Sequence, residues 1–171
     1  MTISMYAASI PVFKQMLGSL SAVLAKAEAH CQAKKIDPAT LPNDRLAPDM
    51  LNLIKQVQIA CDFGKSTPAR LSGADVPSWE DNEQTYADLQ ARITKTLAYM
   101  ETFKPSDIDG SEAREIVIGG GTPRERRFTG QPYLLHYSLP NFFFHVTTAY
   151  AILRHNGVEL GKKDFMGALP T

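Results

Sequence analysis

Apolar residues recur at spacings of three and four in separate segments of the chain, the period of helices that bury one face. The first stripe follows Pro11, which suits either the start of a helix or a kink. This stripe consists of Phe13, Met16, Leu17, Leu20, Val23, Leu24 and Ala27. The pattern therefore predicts one long helix at the start of the chain.

A second and a third helix are indicated by the same spacing. After a proline-rich linker, Pro48 fits the first turn of the second helix, which we expect to end near residues 64–67. Its stripe is Met50, Leu53, Ile54, Val57 and Cys61. Ser78, with an acidic residue three positions later, is typical of the capping box that begins a helix. The third stripe is Tyr86, Leu89, Ile93, Leu97 and Met100, and Lys104 with Pro105 should close that helix.

The residue pattern before the last helix is extended and not helical. A β-branched run at residues 116–118 precedes Gly119 to Gly121 and a second short extended run, which predicts a small β-hairpin on a helical protein. The arginines that follow these glycines suit a solvated turn better than a phosphate loop, since no GK[ST] motif is present. A fourth helix is predicted from residues 138–140 to Gly157, which can adopt the left-handed conformation that ends helices.

The fourth helix is apolar on more than one side. Phe142, Val146, Ala149 and Leu153 form the stripe expected to face the core. Phe143, Phe144 and Tyr150 lie off this stripe and need a second surface to pack against. A second copy of the chain, giving a homodimer, is one candidate, and residues 106–137 folding back are the other.

Composition narrows the possible functions. The 171 residues are 44% hydrophobic, enough for one domain with a substantial core over 1–171. Eighteen basic residues balance eighteen acidic ones, which argues against nucleic acid and anionic membranes as partners. A secretory leader and an apolar run of about 18 residues are both missing from the sequence, so we expect a soluble cytoplasmic protein. The cysteines Cys31 and Cys61 lack the spacing of a zinc or disulfide framework.

His145 is the main candidate for chemistry, because it lies beside the core stripe of the fourth helix. Asn141 stands one turn earlier, where a second ligand of a metal-binding pair would be. An asparagine is a poor transition-metal ligand but a good hydrogen-bonding group, so the residues alone favour a packed, hydrogen-bonded histidine over a metal ligand. Gln58 and Asp62, a turn apart on the second helix, could reach the same pocket or form a solvated flank. His136 could join only if the preceding loop folds back.

The segments 137–167, "YSLPNFFFHVTTAYAILRHNGVELGKKDFMG", and 45–65, "RLAPDMLNLIKQVQIACDFGK", resemble the DinB-like and YfiT-like superfamily, in a bacterial branch without assigned function. The resemblance implies an all-α, up-down four-helix bundle, often dimeric. Many members hold a divalent metal such as zinc, nickel or manganese through one histidine on the second helix and an HxxxH pair on the fourth. Here His145 matches the second histidine of the pair, Asn141 replaces the first, and the second helix has no histidine.

Three functions are compatible with the absence of two of the three histidine ligands. The first is a small-molecule-binding or stress-related bundle protein, with a degenerate pocket of His145, Asn141, Asp62 and Gln58. The second is a metal-dependent thiol transferase or hydrolase in which Asp62 or Gln58 substitutes for a missing ligand of His145. The third is a structural homodimer that uses Phe143, Phe144 and Tyr150 and has no catalytic site.

Overall fold

The computed structural model of the protein describes residues 3–169, and its secondary structure is mainly helical with one small sheet. Four long helices carry most of the core: α1 (Ile10–Lys34), α3 (Leu53–Ser72), α4 (Tyr86–Met100) and α7 (Leu139–His155). Shorter helices are α2 (Thr40–Asn43), α5 (Pro105–Ile108), α6 (Gly130–Pro132) and α8 (Lys162–Met166). A π-helical turn, Tyr133–Ser138, joins α6 to α7.

The core lies where the long helices meet. Helix α3 packs against α4 and α7, and α1 packs against the same two helices from the other side. Phe13 of α1 and Phe142 of α7 are fully buried, and their ring centroids lie 4.5 Å apart. The stripes predicted from the sequence are the buried faces of these helices, except that Met50 precedes α3 and that Met50 and Leu97 are only partly buried. Within residues 3–169, no helix has both the length and the apolarity needed to cross a membrane.

Two predicted boundaries of the second helix are wrong. Helix α3 begins at Leu53 instead of Pro48, because the Asn52 side chain accepts a hydrogen bond from the backbone N–H of Lys55. It continues past Gly64, whose missing side chain permits a close approach: an added Cβ would lie 3.0 Å from Leu17 Cδ1. The helix ends at Ser72, where Gly73 adopts the left-handed conformation with φ of 81°.

The predicted start of the third helix is also wrong. Thr85 and Asp88 form the capping box of α4: the N–H of Asp88 donates to Thr85 Oγ1 and the N–H of Thr85 donates to Asp88 Oδ2. Ser78 lies in the preceding loop, and Asp81 forms ion pairs with Lys55 and Arg92 there. The pattern of a Ser or Thr followed three residues later by an Asp thus occurs at both Ser78 and Thr85. The first of these does not cap a helix, because its Asp81 forms ion pairs with distant residues.

The hairpin prediction is confirmed. Strand β1 (Glu115–Ile118) pairs antiparallel with β2 (Arg126–Thr129), with Ile116 opposite Phe128. The fourth helix begins at Leu139 as expected and ends at His155, with Gly157 at a φ of 86°. However, residues 130–138, expected as loop, are already helical, so the helical path reaches the hairpin directly.

Candidate functional site

His145 is held by the amide of a glutamine on the facing helix. Its Nδ1 lies 2.7 Å from Oε1 of Gln56 on α3, and Nε2 of Gln56 donates to the carbonyl of Leu51 at 3.0 Å. The Leu51 carbonyl can only accept, so it fixes the orientation of the amide and leaves Oε1 as the atom that faces His145. Nδ1 must therefore carry the proton, and Nε2 is the nitrogen with a free lone pair when the ring is neutral.

The surroundings of the imidazole are aromatic. The ring of Phe63 stacks on His145 with centroids 6.3 Å apart and an interplanar angle of 20°, and Phe144 meets it edge-on at 5.3 Å. Burial lowers the pKa of His145 below its ordinary value of 6.5. Nε2 makes no hydrogen bond to residues 3–169 and is not among the polar atoms sealed there without a partner. The site thus presents a neutral imidazole with one accessible acceptor atom.

Asn141 is near this site but its amide N–H is already used. Nδ2 donates to the carbonyl of Tyr137, one turn earlier, at 2.7 Å. The Tyr137 ring lies 6.0 Å from that of Phe63, so Tyr137, Phe63 and His145 form one continuous wall. We call this wall, together with Gln56 and Asn141, the His145 site.

Gln58 and Asp62 are not part of the His145 site. At about 100° per residue, Gln58 and Asp62 lie about 160° and about 120° around α3 from Gln56. Gln58 donates to Glu83 at 2.7 Å, and Asp62 pairs with Arg92 and Lys65 at 3.0 Å each. The expectation that these two residues share a pocket with His145 and Asn141 is corrected by this placement.

Instead, Gln58 and Asp62 belong to a buried ionic cluster centred on Arg92, which we call the Arg92 cluster. The Arg92 side chain is 2% exposed and binds Glu83 at 2.9 Å and Asp81 at 3.0 Å. The loop that precedes α4 covers it, with the Trp79 ring 4.6 Å from Nζ of Lys65 and 4.5 Å from Nζ of Lys95. These contacts fasten the loop over the groove between α3 and α4.

The groups around His145 do not fit the metal site implied by the superfamily resemblance. A histidine on the second helix would have to meet the fourth-helix pair, and the α3 residue that does so is Gln56. One imidazole with two amides already engaged in hydrogen bonds is a poor donor set for zinc or nickel. Nowhere in residues 3–169 do three His, Cys, Asp or Glu side chains gather as a metal ion would require.

The aromatic residues proposed for a dimer interface face different surroundings. Phe144 is 54% exposed, and Phe143 is half-buried against Phe142. The Tyr150 ring instead meets Phe165 of α8 at 5.8 Å, so the C-terminal segment covers it. Tyr150 is thus partly covered within its own chain, by a segment that neither alternative for its cover had included.

Sequence reasoning missed Gln56, the residue that orients His145. Gln56 and Gln58 are both 1% exposed and flank the same apolar stripe on opposite sides. A signal was present, since Gln56 and Phe63 are seven residues apart and therefore share one face two turns apart. Choosing between the flanks requires knowing which one faces α7.

Comparison with known proteins identifies the family. A model described as "Domain of unknown function (DUF1993)" matches residues 5–166. The crystal structure of a DinB family member protein from Shewanella denitrificans is similar over 97% of this chain and 93% of that one, with 45% sequence identity and a TM-score of 0.88. No curated protein matches the chain. The chain therefore belongs to the DUF1993 family and is a DinB-like protein.

Proposed function

We propose that this DinB-like protein binds a small organic molecule at the His145 site without a metal ion. The observation that carries the proposal is the relay from the Leu51 carbonyl through Gln56 to Nδ1 of His145. The relay fixes the tautomer of His145 and leaves Nε2 without a partner among residues 3–169. A ligand with an N–H or O–H group can donate to Nε2 while its apolar part contacts Phe63 and Tyr137.

The architecture proposed for this site is an up-down four-helix bundle. The contacts of α3 with α4 and α7, closed by α1 on the other side, support that arrangement. In helical bundles, ligand sites are built from side chains on facing helices, as Gln56 and His145 are here.

The metal-dependent alternative has weaker support. A thiol transferase or hydrolase of the DinB type would need Asp62 or Gln58 as a replacement ligand, and both are engaged with the Arg92 cluster. Their flank of α3 is turned away from His145, so recruiting either would require rotation of the helix. The donor chemistry therefore favours binding by hydrogen bonds and aromatic contacts.

The test combines elemental analysis of protein purified without an affinity tag with a fragment screen followed by ¹H–¹⁵N NMR. We expect neutral fragments with a hydrogen-bond donor to shift the amide signals around Gln56, Phe63 and His145. His145→Asn should weaken their binding about tenfold, the effect of one well-made hydrogen bond with its surroundings. His155→Asn, at the exposed end of the same helix, should leave binding unchanged. Stoichiometric metal that is lost in His145→Asn would overturn the proposal, as would a screen in which no fragment shifts these signals.

A second proposal, homodimerisation through α7, is favoured by the exposed face around Phe144. This face forms an apolar groove of about 450 Å³. Its lining includes Leu46, Met50, Pro140, Phe143, Phe144 and Ala151. A soluble protein gains by covering such a surface, and a second copy can do so symmetrically.

Phe144→Glu tests this interface through the molar mass measured by light scattering. We expect a dimeric mass for the wild type and a monomeric mass for the variant, because a buried carboxylate at the interface is costly. Val117→Glu, at another exposed apolar residue on β1, is the matched control and should keep the wild-type mass. A Phe144→Glu protein of unchanged mass would exclude this face.

A further inference from the structure

A cleft of about 840 Å³ lies between the hairpin and the helical segment that leads into α7. The residues that matter for its chemistry are Arg124 and Arg126 on the hairpin side, and His136, Tyr137 and Asn141 on the helical side. The π-helical turn contributes His136 and Tyr137 to this wall. Such turns insert an extra residue into a helix, change which side chains face a neighbour, and are frequent at functional sites.

The electrostatic balance of the cleft is positive. Within residues 3–169, neither Arg124 nor Arg126 takes part in an ion pair, whereas Arg127 pairs with both Glu115 and Glu125 at 2.8 Å. The carboxylate that lines the cleft, Glu125, also accepts the backbone N–H of Gly121 at 2.9 Å. Its charge is thus already compensated, and the two arginines are left without a counter-ion.

Arg126 is directed to the cleft by the strand and by an aromatic ring. Side chains alternate along a strand, so Arg126 and Phe128 share one face of β2 while Arg127 points to the other. The Phe128 ring lies 5.2 Å from Tyr137, and Cζ of Arg126 lies 5.8 Å from the centre of the same Tyr137 ring. This stacking holds the guanidinium near the cleft wall without using its N–H donors.

The cleft adjoins the His145 site through two shared residues. Tyr137 and Asn141 belong to both, and Phe63 links the Tyr137 ring to the His145 ring. A molecule that contacts Nε2 of His145 at one end can therefore extend along Tyr137 toward the hairpin.

We infer that the molecule bound at the His145 site carries an acidic group, a carboxylate or a phosphate, and that Arg124 and Arg126 bind this group in the hairpin cleft. The inference rests on the proposed function, because it assigns the ligand class of the same site. Guanidinium groups with free donors suit both acids, since they can form paired hydrogen bonds with either one. At the other end, Nε2 of the uncharged imidazole accepts a hydrogen bond from a donor group of the same ligand.

The experiment is an NMR titration of the full chain with sodium phosphate and, separately, with sodium succinate, at an ionic strength held constant with sodium chloride. We expect saturable shifts of the amide signals of residues 119–126 and 136–141 with at least one of the two acids. Shifts with phosphate alone, or with succinate alone, identify which acidic group the cleft accepts. Arg126→Gln should raise the dissociation constant about tenfold, because it removes a charge-assisted contact.

Arg154→Gln is the matched control, since it removes the same charge from an exposed position at the end of α7 that does not line the cleft. Its dissociation constant should stay within about twofold of the wild type, the range of a screened surface charge. Equal weakening by Arg126→Gln and Arg154→Gln would mean that the acids bind through general surface charge, and it would overturn the inference. So would the lack of saturable shifts with both acids.

The two proposals fail in distinguishable ways. Neutral fragments that bind at His145, in a protein that binds neither phosphate nor succinate, would overturn the acidic-ligand inference and leave the proposed function intact. A metal bound through His145 would overturn the proposed function, whatever the outcome of the titration.

Discussion

The two flanks of α3 carry buried polar groups of opposite character. On the flank that faces α4, the Arg92 cluster brings Arg92 and Lys65 together with Glu83, Asp62 and Asp81 under a loop. On the flank that faces α7, Gln56 and His145 form an uncharged pair beside aromatic rings. The first flank is rich in charges that pair with one another, whereas the second is poor in charge and leaves Nε2 of His145 without a partner within the described residues.

A high density of charged residues therefore does not coincide with the proposed ligand site of this protein. Burial alone would lower the pKa of Arg92, but the hydrogen bond that it donates to Glu83 and the charges of Asp62, Glu83 and Asp81 raise it above its ordinary value. In the described chain, Nε of Arg92 and Oε1 of Gln58 have no hydrogen-bond partner, yet both atoms are sealed from solvent. The Arg92 cluster is held together by its own ion pairs, whereas Nε2 of His145 makes no hydrogen bond within residues 3–169.

The largest expected effect is on the Arg92 cluster. Arg92→Leu should lower the free energy of unfolding by about 3 kcal/mol, because it leaves the 10%-exposed carboxylate of Glu83 without its cation. Urea denaturation of both proteins measures this loss. Lys14→Gln, which removes the exposed ion pair with Glu101, is the control and should cost under about 1 kcal/mol. A similar decrease in the free energy of unfolding for the two variants would contradict the stabilising role assigned to the Arg92 cluster.

A smaller effect on stability, with a specific spectroscopic signature, is expected for Gln56→Leu. The substitution removes the acceptor of Nδ1, so stability should fall by about 1 kcal/mol and the imidazole should no longer favour the Nδ1–H tautomer. Long-range ¹H–¹⁵N spectra of His145 distinguish the tautomers. Gln58→Leu, two residues along on the opposite flank, should leave the tautomer of His145 unchanged. A wild-type spectrum with the proton on Nε2 would contradict the relay.

The smallest effect is on the pH dependence of stability. Burial holds the pKa of folded His145 below 6.5, so the unfolded chain binds more protons just below that pH. Stability contributed by the neutral ring is therefore complete above about pH 6.5 and is lost as the pH falls through the folded pKa. Urea denaturation at pH 7.5 and 5.0 should show a larger decrease for the wild type than for His145→Gln. An identical decrease in the two proteins would show that His145 titrates normally in the folded state.

Much of the fold could be predicted because its determinants are local. The apolar stripes of the helices and the hairpin at Gly119 to Gly121 follow from residue spacing and from glycine conformation. The errors arose where a local signal competed with a distant contact. The pattern at Ser78 resembles a capping box, but Asp81 pairs with Arg92 and Lys55, which are distant in sequence. Gly64 resembles a helix end, but it is a point of close packing against Leu17.

The same distinction between local determinants and distant contacts applies to the candidate site. Residue spacing alone predicts that His145 lies beside the core stripe of the fourth helix, with Asn141 one turn away, and it shows that the superfamily's histidine on the second helix is missing. That Gln56, and not Gln58, contacts His145 is known only from the way the helices pack. The physical reason is that helical periodicity fixes which residues share a face, whereas the neighbour of each flank depends on how α4 and α7 are arranged around α3.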